Sequence, residues 1–404
     1  MSFRLPLIIS FIVYGLGILC MFVADLYVVA NYSPEEVANW AFYKSALFIL
    51  GAFCLLGLDQ VIIRHPDKAK NITLRFIGTS LAVTAALSAI CFTYEDIPVA
   101  PAMLIICTLL FSYVTFISAY FRAKNKLVEA QIATNGWKPI AFLLMVTAFG
   151  GVDSWFLFSL STTLIVFLPL LLLRKYKDNY KSQQVAEQNY SQLGGFFLLH
   201  SLTLVIAVHG EQFIITLLGN KEVAFVVFSH FVIFTPIAIS ANGFLGFYLA
   251  PKIRRMDSFD LVHYKTYANN INKLAIGLSV ISMIAGIAIY QLVYKRQGLE
   301  LDLTIVASLF IMTLARGNYT FASVCMNVFA DKRVLFKTAV FNWASMTIYL
   351  LCLFIILNSD NNNLAMAQMI VIATALHWLA RTVTSNYYAS QAVKVNLKKI
   401  EVNP

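Results

Sequence analysis

The chain has 404 residues, 59% of them hydrophobic and only 12% charged, with a formal net charge of +10. No water-soluble core buries that share of apolar side chains, so a soluble enzyme or solvated scaffold is excluded. The lysines and arginines fall in small clusters between apolar runs, so the continuous footprint that a nucleic-acid partner needs is absent.

A bilayer core about 30 Å thick takes about 20 residues of helix to cross, with every peptide group paired internally. Runs of that length predict an all-α polytopic membrane protein of twelve transmembrane helices, at 5–30, 40–63, 74–94, 101–121, 127–149, 154–173, 193–217, 222–249, 268–293, 302–326, 336–357 and 364–386. The first run follows a single early charge, Arg4, but is too long for a signal peptide and lacks a small-residue cleavage site. It is expected to remain as a helix. Pro236 with Asn242 and Gly243 suggests a bend in the eighth run, and Pro139 a loosening of the fifth. The six cysteines lie inside apolar runs without CxxC spacing and read as packing residues.

Basic residues set the orientation, because short cytoplasmic loops retain them. One set of loops holds Arg64, Lys68, Lys70 and Arg75, then Arg122, Lys124 and Lys126, then Arg174, Lys175, Lys177 and Lys181. The same side continues with Lys252, Arg254, Arg255, Lys332, Arg333, Lys398 and Lys399. The opposite loops hold Glu35, Glu36, Glu95, Asp96, Asp153 and Asp360, with Lys221, Lys295 and Arg296 as basic exceptions. Both termini are therefore expected in the cytoplasm.

The longest polar insertion, 174–192, has the composition of a linker. It divides the chain into an N-terminal six-helix lobe (1–173) and a C-terminal one (193–386), followed by a cytoplasmic tail (387–404). Sliding the second half against the first by 186 positions sets Glu36-Val37-Ala38 on Glu222-Val223-Ala224, Asp25 on Glu211 and Lys44 on His230. Such a parallel repeat fits alternating-access transporters, whose substrate path lies between pseudo-symmetric lobes.

Charged side chains inside a span cost about 2.5–3.5 kcal/mol on insertion scales, so each asks for a reason. Asp25 and Lys44 read either as an interfacial ion pair or as an outer vestibule in which Asp25 titrates, and Glu211 with His230 repeats the pattern. Lys138 and Arg316 lie near the middle of their spans and read as cavity cations, with a buried structural pair as the plainer reading for Arg316 and an interfacial position for Lys138. Arg381 is either a further cavity cation or a side chain reaching the cytoplasmic surface. The balance of Lys44, Lys138, Arg316 and Arg381 against Asp25 and Glu211 is basic, which suits an anionic substrate. No catalytic residue, metal site or cofactor is expected.

Tyr14-Gly15 in the first run and GLDQVIIR (Gly57 to Arg64) closing the second belong to a pattern spanning essentially the whole chain. The chain resembles the multidrug/oligosaccharidyl-lipid/polysaccharide (MOP) superfamily, and within it the polysaccharide transporters, or Wzx-type O-antigen flippases. That resemblance implies a flippase, not an enzyme, moving an undecaprenyl-pyrophosphate-linked oligosaccharide across a bacterial inner membrane. It implies alternating access, with a proton or sodium ion as an optional coupling partner, and work alone or beside a polysaccharide polymerase. Lys44, Lys138, Arg316 and Arg381 would then serve the anionic headgroup, and Asp25, Glu211 and His230 the coupling or gating. A cation-coupled drug or toxin antiporter of the same superfamily is the alternative, followed by a membrane-embedded polymerase or glycosyltransferase.

Overall fold

The computed structural model describes residues 4–93, 99–124, 126–147, 150–173, 190–218, 220–254, 256, 259–292, 294–297 and 300–402. Among them are fifteen α-helices, two short 3-10 turns and no strand. The helices are α1 (Arg4–Asn31), α2 (Pro34–Leu55), α3 (Leu58–Arg64), α4 (Ala69–Thr93), α5 (Pro101–Ala123), α6 (Leu127–Asn135), α7 (Trp137–Val146) and α8 (Val152–Leu173). They continue with α9 (Tyr190–Leu217), α10 (Lys221–Phe234), α11 (Pro236–Arg254), α12 (Leu261–Leu292), α13 (Leu303–Phe329), α14 (Lys332–Leu357) and α15 (Asn363–Val402). The fold is all-α, as expected.

Nine helices among the described residues are long and apolar enough to cross a membrane, and Lys221–Phe234 with Pro236–Gly246, bent by 66°, makes up to ten if the bent pair is one span. Their outward faces are apolar: Ile284 on α12, Leu351 and Ile355 on α14, and Leu16 and Leu19 on α1 are all exposed. Surfaces of that kind across many helices are not tolerated in water. This is a multi-pass membrane protein.

Local chemistry sets the helix ends and breaks. Ser33 and Glu36 cap α2 reciprocally, the Ser33 N–H reaching the Glu36 carboxylate at 3.0 Å and the Glu36 N–H reaching Ser33 Oγ at 3.4 Å. Asn220, Asp302 and Asp331 accept from the N–H groups of Val223, Ile305 and Val334, starting α10, α13 and α14. The second apolar run breaks at Gly57, whose φ of +70° is left-handed and ends α2 before α3 begins. The fifth breaks at Gly136, between α6 and α7. Pro139 therefore sits in the first turn of α7, where no helical N–H is needed. The eighth run breaks at Thr235, directly before Pro236.

The structure forms two compact units, one of Met1–Tyr27 with Asn39–Leu217 and one of Val28–Ala38 with Leu218–Pro404. Helix α9 thus packs with the first unit, and the tip joining α1 to α2 with the second. Residues 174–189 of the expected linker lie outside the described residues. Positions 387–402, expected as a tail, continue α15 without a break.

Candidate functional site

In the first unit, α1 brings Asp25 against α2, where its carboxylate receives three hydrogen bonds. Lys44 Nζ donates to both oxygens at 2.7 Å and Trp40 Nε1 donates to one at 2.8 Å. The two charged side chains are only 13% and 15% exposed. Trp40 is fully buried, stacked on Phe156 and edge-on to Trp155 of α8, so the indole that orients Asp25 is itself fixed.

Lys138 lies on the second helix of the broken fifth span and is buried. Its ammonium donates to Asn135 Oδ1 at 2.6 Å, and Asn135 Nδ2 donates to Gln131 Oε1 at 2.6 Å. The break at Gly136 lets residues from α6 and α7 converge here, and close packing against Gly17 of α1 holds Asn135 in place. Asp25 and Lys44 lie within electrostatic reach of Lys138. The three predicted residues therefore share one neighbourhood, with two positive charges against one negative. Glu211, on α9 in the same unit, is almost completely buried; His209, two residues before it and so on a different side of the helix, stacks its ring on Phe48 at 4.4 Å.

In the second unit, Arg316 of α13 and Arg381 of α15 meet the same indole. The Arg316 guanidinium lies 4.8 Å from the centre of Trp378, and that of Arg381 lies 6.0 Å from it. Arg381 also covers Tyr319 at 4.9 Å and donates from Nη2 to its hydroxyl at 3.2 Å. Arg316 is half-buried, whereas Arg381 has no exposed surface, so its guanidinium does not reach the surface at the end of its helix.

His230 sits elsewhere in that unit. The Asp302 backbone N–H can only donate, so Nε2 accepts from it at 3.3 Å and Nδ1 carries the proton given to the Val226 carbonyl at 2.8 Å. The imidazole is therefore neutral in this arrangement. It lines a cavity of about 490 Å³ together with Tyr32, Tyr294, Glu300 and Asn363. The repeat-related positions Glu35 and Lys221 form an ion pair in this unit. The repeat-related Val37, Ala38, Val223 and Ala224 are all fully buried.

Trp40, Asn135, Trp378, Tyr319 and Asn342 were not foreseen from sequence. Only the polar spacing of His377, Arg381 and Ser385, four residues apart on one helix face, was there to be read.

No protein-family model and no curated protein matches this chain. Solved structures do. The chain aligns over 97% of its length, and 96% of the other chain, with an outward-facing multidrug resistance MATE family transporter of the MOP superfamily, at 13% identity and a TM-score of 0.60. It aligns over 97% of its length, and 95% of the other chain, with a MATE protein in complex with MaD3S, at 15% identity and a TM-score of 0.56. A MOP superfamily transporter from Pyrococcus furiosus, whose binding pocket has reverse polarity suggesting a different function, aligns at 13% identity and a TM-score of 0.54, over 98% of this chain and 94% of that one. The chain has the fold of these transporters.

Proposed function

We propose that this chain is a flippase that carries a polyprenyl-pyrophosphate-linked oligosaccharide across a bacterial inner membrane by alternating access between lobes 1–173 and 193–386. The observation that carries this reading is Lys138. Its buried ammonium meets one neutral amide oxygen, while the nearby Asp25 carboxylate is already held by Lys44. A buried cation without its own carboxylate favours an anion as visitor, and a diphosphate supplies the charge and acceptor oxygens that two lysines can share. Arg316, half-buried against Trp378 in the second unit, is a separate cationic position, and Arg381 meets the same ring. Asp25 holds Lys44 near the site and is the residue through which a proton or sodium ion would act.

Ion-coupled export of cationic drugs is the second reading, favoured by the likeness to a multidrug resistance transporter. The basic surroundings of Lys138 weigh against it. The Pyrococcus furiosus neighbour, with its reverse polarity, indicates that this fold accommodates pockets of different sign.

The test is transport in vesicles holding the purified protein and a labelled undecaprenyl-pyrophosphate oligosaccharide, scored by access of an external glycosidase. Protein-dependent movement, lost in Lys138→Ala at normal insertion and partly kept in Lys138→Arg, is the expected result. No movement of any glycan, with proton-driven efflux of cationic drugs from the same vesicles, would replace this reading with the second.

A further inference from the structure

Helices α13, α14 and α15 enclose a second polar region, within the second unit. Two contacts fix the register of α14 against α15: Tyr349 Oη to Thr374 Oγ1 at 3.0 Å, and Ser345 Oγ to His377 Nδ1 at 3.0 Å. Moving back along α14 advances along α15, so the helices are antiparallel. The following turn sets Asn342 level with Arg381, and the one after it sets Thr338 level with Ser385. His377, Arg381 and Ser385 share one face of α15 at four-residue spacing.

These groups are enclosed and unsatisfied. Arg381 and Ser385 are 0% exposed, Asn342 is 1% and His377 is 4%. Arg381 Nε and Nη1, both amide atoms of Asn342, His377 Nε2 and Ser385 Oγ have no hydrogen-bond partner among the described residues. Arg381 meets a phenol hydroxyl and two aromatic faces there, and among the described residues no carboxylate pairs with it. Native interiors rarely strand one such atom, and a guanidinium without a counter-charge is costlier than any neutral orphan. Water would answer the hydrogen bonds but leave the charge.

We propose that this seam holds a small inorganic anion of the halide class, with Arg381 as counter-charge and the Asn342 amide, level with it on the facing helix, as the further donor. Arg316, on the same indole, is only half-buried, so the fully enclosed positive charge is that of Arg381, which matches one monovalent anion. A spherical ion accepts from donors arriving in any direction, as these do from two helices. A lipid-linked headgroup has no route to atoms so enclosed unless the three helices separate. The site is thus resident, and it stands whatever the protein transports.

The experiment is equilibrium binding of radiolabelled chloride to the full chain in nanodiscs, after exchange into gluconate at constant ionic strength. One saturable chloride per chain, competed by bromide, is expected. Arg381→Met should abolish it, and Asn342→Leu, which keeps the charge and removes one donor, should weaken it about tenfold. The Tm of the parent protein should rise with chloride as a linked ligand requires, and that of Arg381→Met should not. Should Arg381→Met fail to fold, Asn342→Leu decides. Absence of saturable chloride binding, or binding undiminished in the variants that fold, overturns the assignment. So does displacement of the chloride by undecaprenyl pyrophosphate, which would place a substrate headgroup in the seam.

Discussion

Replacing Asp25 with asparagine removes one charge while keeping the side chain's shape and its oxygen for Trp40. Lys44 then loses the carboxylate that it holds through both oxygens at 2.7 Å. A hydrogen bond to a charged group contributes about 1.5–3 kcal/mol, and removing one partner of a buried ion pair costs about 3–5 kcal/mol because the other charge stays behind. The pair is 13% and 15% exposed, so water softens that penalty a little. Against this, Lys138 nearby adds repulsion once the carboxylate is gone. The expected destabilisation is about 3 kcal/mol. Lys44→Met alone should cost about 2 kcal/mol, since Asp25 keeps the Trp40 indole and has Lys138 within reach. The double variant strands neither charge and should lose about 3 kcal/mol rather than the sum of about 5, a coupling of about 2 kcal/mol. Reversible unfolding of all four proteins in mixed micelles measures this cycle. Coupling below about 0.5 kcal/mol would refute the reasoning, because the two charges would then not be stabilising one another.

Lys138→Met should leave the resting protein as stable as its parent, within about 1 kcal/mol, because relief of the buried charge offsets the hydrogen bond lost to Asn135, and transport should fall to background; a loss of stability above about 2 kcal/mol would make Lys138 a structural residue. Gly57→Ala should destabilise by at least about 2 kcal/mol, measured as Tm and as yield of folded protein, since its Cβ would lie 2.4 Å from the Gly194 carbonyl oxygen and 2.8 Å from the Leu198 nitrogen at a φ of +70°. Asp260, at the start of α12, accepts from the His263 backbone N–H at 2.8 Å, and that bond, with the His263 side chain, holds its carboxyl below the usual carboxylate range. Its contribution is therefore present above the ordinary carboxylate value and lost as pH falls through the lowered one; Asp260→Ala should speed hydrogen exchange in the first turn of α12 at neutral pH and remove that acid sensitivity.

Apolar run length made the helices legible, because a membrane sets a minimum length and leaves little freedom beyond it. Breaks were legible where a residue type dictates them, as before Pro236. The break at Gly136 was less so: Pro139 marks the region, but the helix turns three residues earlier because proline is acceptable in a first turn. The pairing of Asp25 with Lys44 was readable from the two sides of one hairpin. The indoles that hold Asp25 and link Arg316 to Arg381 were not, since Trp40 and Trp378 come from positions that an apolar run cannot distinguish from packing. Nor was the register of α14 on α15, because nothing in either helix alone says which polar residues come level.

The elbow between α10 and α11 is tied to α12 at two points. Ser282 donates to the Phe234 carbonyl at 2.7 Å, and the Phe234 ring fills the space where a Cβ on Gly286 would lie at 2.4 Å. Both ties end on Phe234, the last residue of α10, so the near side of the elbow is held to α12 through a carbonyl and through a ring at once. Helix α12 also carries lipid-facing side chains, among them Ile281, Ile284 and Ile287. One helix thus meets lipid along one side and holds the elbow along another, so the bent helix pair is joined to the lipid-facing surface through a single packed neighbour.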